Sequence, residues 1–424
     1  MEKVTLALAG AGMRGCTLHG RYTLKYPEDA QFVAVAEPLE SRRNYFAEQH
    51  GIPPERRFAS AEEMLAKPGI ADAVIVSTLD RQHFAPAKLA LENGYHLLLE
   101  KPVSTDPGEV LQLQRLAQKH SDRVFMVSYV LRYTSFFTHI KDIIDRGEIG
   151  RIISVCHNED VTYWHMAHSF VRGSWRNSKE TTFMLLAKCC HDLDLLVWLV
   201  GARCGRVASF GALTHFRPEN APEGAPARCL DGCPASGTCP YYAPAIYLGT
   251  HGFPAVEVGA DQSPEARLEA LRTGPYGRCV YRCDNDVVDH QVLSLEFENG
   301  ATAAMTMCGH AFDNTRRIKI MGTRGELRGE LESGRVEVFH HATGCREVYE
   351  TATREMEGHQ GGDFLLMRDF TRLVRLGGGK GLTDAAATAH ATMVAFAAEA
   401  ARKEGRVVAM QEFEAGIAKE YGIG

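Results

Sequence analysis

The chain has 424 residues, 45% of them apolar and 24% charged, which is ordinary for a soluble globular protein and long enough for two domains. A net charge of -6 offers no basic surface for nucleic acid, and no apolar run is long enough to span a bilayer, so neither is an expected partner. Met1 leads straight into an apolar strand pattern without a basic and apolar leader, which predicts a cytoplasmic protein whose 12 cysteines stay reduced.

Up to residue 127, apolar strand-like runs at 4–9, 32–36, 74–77, 97–99 and 124–127 alternate with helical patterns at 14–26, 39–50, 83–93 and 107–120. Consecutive apolar positions suit a parallel sheet covered by helices on both faces, so residues 1–127 read as a doubly wound α/β domain of the Rossmann type. The pattern then changes. Phe136, Phe137, Ile140, Ile143 and Ile144 mark one face of a helix that ends at Gly147. A strand is predicted at 152–156 and a helix at 188–200. Strands at 291–297, 301–307, 318–321 and 336–339 are separated in part by the turns Glu298-Asn299-Gly300 and Gly322-Thr323-Arg324-Gly325. Residues 128–424 therefore read as an α+β domain with a mostly antiparallel open sheet. Residues 217–285, rich in Pro, Gly and Cys, look like an insertion, and two helices at 363–376 and 384–403 follow.

The first strand runs directly into Gly10-Ala11-Gly12-Met13-Arg14-Gly15, a G-x-G-x-x-G between strand and helix. Gly10 makes the tight turn, Gly12 lets the backbone approach a pyrophosphate, and Gly15 allows close helix–strand packing. The helix start turns N–H donors toward the phosphates. The second strand ends in Glu37, a carboxylate placed to accept from the adenosine ribose hydroxyls and to repel a 2′-phosphate. The expected cofactor is thus NAD rather than NADP, although Arg42 and Arg43 stand close by.

Three further segments follow in order: Ser77–His83 after a strand, Glu100-Lys101-Pro102 after the next, and His191–Asp194 near a helix start. With Arg132, Gly147-Glu148-Ile149-Gly150 and the turn at 321–327, this order resembles the glucose–fructose oxidoreductase / inositol dehydrogenase (Gfo/Idh/MocA) family along essentially the whole chain. The resemblance implies a Rossmann domain followed by a mostly antiparallel sheet, with the cofactor across that sheet's face and a sugar or polyol between the domains. It implies cofactor contacts from Gly10, Gly12, Met13, Arg14, Gly15, Glu37, Ser77, Thr78, His83, Glu100 and Lys101. A homo-oligomer belongs to the same expectation.

Chemistry asks for the same residue types. Moving a hydride from a carbinol carbon leaves a hydroxyl proton that a positioned base must take. Lys101 is the candidate base, aimed by the extended backbone that Pro102 favours, and His191 shares the proton. Many relatives carry an acid four residues before the histidine; here that position is Ala187, and Lys188 beside it is a third catalytic candidate. On a continuous helix Lys188 and His191 share a face, and Asp194 orients His191. His165, Arg172 and Trp175 are candidate substrate contacts, because aromatics mixed with His and Arg suit a sugar pocket, and the resemblance adds Arg132. So are Asp194, Tyr281, Asp286 and His290.

Cys229, Cys233 and Cys239 form C-x3-C-x5-C, and Cys279 and Cys283 follow. Clustered thiols in a segment poor in apolar residues suggest structural zinc, with Cys283 or Cys279 as fourth ligand; an iron–sulfur cluster or unliganded thiols are the alternatives. For function, an NAD-dependent dehydrogenase of a sugar, cyclitol or polyol leads. A redox-neutral NAD-dependent glycoside-cleaving enzyme and a non-catalytic NAD/sugar sensor are the alternatives.

Overall fold

The computed structural model describes residues 3–249, 252–259, 261–351 and 358–423. Six strands, β1 (Val4–Ala9), β2 (Ala30–Ala36), β3 (Arg57–Phe58), β4 (Ala73–Val76), β5 (His96–Leu99) and β6 (Phe125–Val127), form a sheet in the order β3-β2-β1-β4-β5-β6. Every pairing is parallel. The central strands are largely apolar because helices cover both faces. Leu6 and Leu8 pack with Phe32, Phe46 and Ile75 on one side. Ala7 and Ala9 pack with Val74, Leu97, Ala87, Leu91 and Leu113 on the other. The first side is completed from far along the chain, by Phe364, Leu366, Met367 and Phe370 of the helix Gly362–Arg375.

Nine strands make the second sheet: β7 (Ile152–Thr162), β8 (Cys204–Ala212), β9 (His290–Phe297), β10 (Thr302–Ala311), β11 (Thr315–Gly322), β12 (Gly325–Glu330), β13 (Arg335–His340), β14 (Arg346–Glu350) and β15 (Val408–Ala409). Their order is β14-β13-β12-β11-β7-β10-β9-β8-β15. Only β7 and β10 pair in parallel among the described residues. The mostly antiparallel sheet is therefore as expected. Its inner face packs the helix Cys190–Val200 and the 20-residue helix Ala385–Glu404, which also touches the helix Pro107–Lys119 of the first domain.

The elements differ from expectation where periodicity is weak. The predicted helix at 14–26 divides into a widened helical segment, Arg14–Gly20, and a regular turn, Arg21–Lys25. The predicted helix at 188–200 begins only at Cys190, after a separate turn Met184–Ala187. β7 runs six residues past the predicted end at Cys156, because His157 and Glu159 occupy inward positions that usually hold apolar side chains. β8, whose Gly, Arg and Ser residues blur alternation, was not expected at all. Among the described residues no helix is long and apolar enough to cross a membrane. The insertion contains short helices around a small core of Cys229, Ala243, Tyr247 and Leu271.

Candidate active site

The glycine loop closes as its sequence requires. Gly10 has φ +95°, and a Cβ there would lie 2.6 Å from the Ser77 carbonyl oxygen. A Cβ on Gly15 would lie 2.3 Å from the Gly10 carbonyl oxygen, whereas one on Gly12 would meet nothing within 4 Å. The turn is thus packed on the sheet side and open at Gly12, where a pyrophosphate would approach. Ser77 Oγ donates to the Gly10 carbonyl at 2.7 Å and locks the loop to the end of β4. Exposed Met13 stands at the loop's rim. Glu37, at the end of β2, accepts from the Ala11 N–H at 2.9 Å and the Leu39 N–H at 3.0 Å. Its carboxylate reaches the loop and holds the loop's shape.

Arg14 and Glu100 are placed for structure as much as for a cofactor. Glu100, 3% exposed, accepts from Arg14 Nε at 2.8 Å and pairs with His19 Nε2 at 2.8 Å. Burial alone would raise its pKa, but Arg14 and His19 hold it well below the usual carboxylate range. Arg14 also pairs with Asp363 at 2.8 Å. His83 Nδ1 faces the Pro102 carbonyl at 2.7 Å, and its Nε2 faces the Thr78 carbonyl at 3.2 Å, so it ties together the loops after β4 and β5.

Lys101 leaves the end of β5 and reaches the second domain, where Nζ donates to the Ala187 carbonyl at 3.4 Å. It stands 6.0 Å from the Trp175 ring centroid, and Trp175 Nε1 donates to Asp80 at 2.9 Å. His191 is 6% exposed, and its Nδ1 has no hydrogen-bond partner among the described residues. Burial first, then the charge of Lys101, hold its pKa well below the ordinary value, so the ring is neutral. The structure thus brings Lys101, His191 and Trp175 together.

Beneath them lies a charge network that sequence reasoning missed. Lys188 Nζ pairs with Glu159 at 3.0 Å, and Arg316 Nε lies 2.9 Å from Glu159 and 2.8 Å from Asp192. His157 Nε2 pairs with Asp192 at 2.8 Å. Burial raises the Glu159 carboxyl despite both cations, whereas at Asp192 Arg316 and His157 outweigh burial and lower it. Continuing the alternation Val155, His157, Glu159, Val161 was the signal that would have found Glu159. His165 adjoins this network. Its Nδ1 lies 3.0 Å from Asn314 Oδ1, and burial followed by Lys188 drives its pKa down to about 3.

Several expected contacts lie elsewhere. The helix breaks between Lys188 and His191, so they do not share a helical face, and Lys188 is engaged by Glu159. Asp194 does not orient His191: it accepts Arg132 Nε and Nη2 at 2.7 and 2.6 Å, which occupies both candidate substrate residues with each other. Asp286 accepts from the Ser178 backbone and hydroxyl and so anchors the loop that carries Trp175. His290 pairs across the sheet with Cys308, which pairs with Asp160. Those residues share the face opposite Met307 and Glu159, so His290 is turned away from His191. Tyr281 bonds His215 at 3.2 Å and lines the cysteine cavity.

Cys229, Cys233, Cys239 and Cys279 do line one small cavity, and Cys283 instead turns its Sγ toward the Cys279 carbonyl at 3.3 Å. Among the described residues, however, no group of three Cys, His, Asp or Glu side chains is arranged to hold a metal ion. The expected four-thiolate zinc site finds no support in the arrangement of the described residues. Arg172, 0% exposed, is here rather than in a sugar pocket, with Nη2 3.6 Å from Cys229 Sγ and 2.7 Å from the Tyr241 carbonyl. Burial pushes the thiols of Cys239, Cys279 and Cys283 up, and Arg172 acts in the opposite direction.

Residues 4–129 match the oxidoreductase family with an NAD-binding Rossmann fold, and residues 141–410 match that family's C-terminal alpha/beta domain. The chain belongs to this family. It is 27% identical to the putative oxidoreductase YteT of Bacillus subtilis over 70% of this chain and 71% of that protein. It is 26% identical to the scyllo-inositol 2-dehydrogenase (NAD(+)) of the same organism, over 50% of this chain and 59% of that protein. The chain thus aligns with little more than half of that inositol dehydrogenase. In fold it is similar to levoglucosan dehydrogenase in complex with NADH and L-sorbose, with a TM-score of 0.71, 18% identity, and 97% and 99% of the two chains covered.

Proposed function

We propose that this oxidoreductase uses NAD to oxidise, or in reverse to form, a secondary hydroxyl on a sugar, cyclitol or related polyol. The observation that carries the reading is the meeting of Lys101 and His191 across the domains, beside the glycine loop. The open cradle at Gly12 and the carboxylate of Glu37 fit the cofactor. NAD, when bound, supplies the hydride acceptor. The chain's own residues do the rest. Trp175 offers a ring face to the C–H side of a polyol, Lys101 takes the hydroxyl proton, and His191, neutral with a vacant Nδ1, accepts or donates a hydrogen bond at the same oxygen. Relatives named as inositol and levoglucosan dehydrogenases support this substrate class.

A homo-oligomer is part of the reading. It is supported by the outer face of the nine-stranded sheet, where Phe210 and Val292 pair side by side and lie exposed. A cytoplasmic setting is supported by cysteines that are all free. The test is a panel of inositols, sugars and anhydrosugars with NAD and NADP, followed by nicotinamide absorbance and, for glycosides, by release of the aglycone. NADH formed from a polyol is expected. Cleavage of a glycoside without net NADH would replace the dehydrogenase reading with the redox-neutral one.

A further inference from the structure

A second imidazole faces the site from a segment that neither the glycine loop nor the Lys101 strand predicts. Four consecutive residues, Gly358, His359, Gln360 and Gly361, have φ of +61°, +26°, +53° and +84°. Left-handed backbone at a histidine and a glutamine is strained, and such strain is kept where the surroundings fix it, often at functional sites. Here it is fixed. Gln360 Nε2 donates to the Leu331 carbonyl at 2.8 Å. A Cβ on Gly358 would lie 2.7 Å from Asp363 Oδ2, so only glycine lets the backbone pass so close. The result is that the His359 ring centroid stands 6.1 Å from that of His191.

His359 Nδ1 lies 2.8 Å from Asp363 Oδ2, and Asp363 is itself held by Arg14 of the glycine loop. Burial would raise Asp363, but Arg14 and His359 lower it, so it is a carboxylate and Nδ1 is the donor. Asp363 thus fixes the ring through Nδ1, the arrangement of an imidazole oriented by a third group. His191 is buried, whereas the His359 side chain is 45% exposed.

We propose that His359, oriented by Asp363, carries the hydroxyl proton out of the active site to solvent. The inference rests on the dehydrogenase reading above. The balance is simple. The carbinol C–H bond gives its hydride to the nicotinamide and the O–H bond gives its proton to Lys101, so C=O forms. The proton passes along His191 to His359 Nε2 and then to water, which restores Lys101.

Two measurements test it. Nitrogen NMR of the nucleotide-free protein is expected to show His359 as the Nδ1–H tautomer; the Nε2–H tautomer would overturn the proposal. His359→Ala is expected to lower kcat at least tenfold with nucleotide affinity unchanged, and added imidazole is expected to restore much of the loss. Wild-type turnover in this variant, or a loss that imidazole leaves unrestored, would also overturn it. If His359→Ala does not fold, His359→Asn, whose amide keeps a donor for Asp363 but carries no proton, must be slow for the proposal to stand. Failure of the wild type to oxidise any polyol would instead remove the dehydrogenase reading, so the two failures are distinct.

Discussion

The two sheets hold chemistry in different ways. In the six-stranded sheet, function sits at strand ends. The glycine loop, Ser77 and Glu37 are fixed largely by backbone groups, as where Glu37 accepts the Ala11 N–H 26 residues away. In the nine-stranded sheet the charged cluster sits on the inner face, and its side chains are fixed by other side chains far off in sequence. Arg316 reaches Asp192 across 124 residues, and Glu159 and Lys188 join the same cluster. Backbone-held sites follow from local spacing. Side-chain-held sites depend on each partner's charge, so one substitution exposes the rest to an unpaired charge in a dry interior.

The sharpest way to break this comparison is Arg316→Met. Two buried carboxylates would lose their shared cation, and stability is expected to fall by about 3–5 kcal/mol, read from denaturant unfolding. A loss below about 1 kcal/mol would mean that the network is not what holds the face together. Lys101→Met is the next largest effect. Turnover should fall at least about a hundredfold, the low end for positioned acid–base catalysis, with little change in NAD affinity. The double substitution with His191→Ala should be far from additive, because both act on one proton.

On the backbone-held side the expected effects are smaller. Glu37→Ala should weaken NAD by about tenfold and narrow its advantage over NADP, as measured by nucleotide fluorescence titration. Tighter binding of NADP than NAD by the unaltered protein would contradict the role given to Glu37. The smallest effect concerns pH. Burial, then Arg172, lower the His168 pKa to about 4, below the unfolded value of about 6.5. The unfolded chain therefore binds the extra proton first. The contribution of neutral His168 is full above about pH 6.5 and is lost as pH falls toward about 4. His168→Gln should flatten the fall in Tm across that window, and an unchanged slope would count against the buried neutral ring.

Legibility followed the same division. The turn of Gly10, Gly12 and Gly15 was readable because a strand–turn–helix encodes it over a few residues, and Glu37 because the next strand ends in it. Lys101 was named from the Glu100-Lys101-Pro102 tripeptide, and its side chain does reach the second domain at the Ala187 carbonyl. The network of Glu159, Asp192, Arg316 and His157 was not, since β7 breaks the apolar alternation where it carries charge. His290 went astray by parity: its strand was found, but which face it presents depends on register with β10. Arg132 was named on the resemblance and Asp194 on the helical face it shares with His191, and each proved to pair with the other. The cysteine spacing was visible, but the guanidinium of Arg172, 57 residues before Cys229, was not.

The helix Gly362–Arg375 has a bearing on how the protein comes into being. It brings Phe364, Leu366, Met367 and Phe370 onto the face of the sheet that holds Leu6, Leu8 and Phe32. A ribosome delivers those strands first and the covering helix roughly 300 residues later, at about 5–20 residues per second. For tens of seconds that face of the nascent sheet is covered only by early segments such as the helix Glu40–His50, and the part the tail helix will cover stays bare, a surface suited to a chaperone. A cofactor-binding domain cut away at residue 127 would remain in that state permanently, and would have to be made with the tail helix joined back to it to stay in solution.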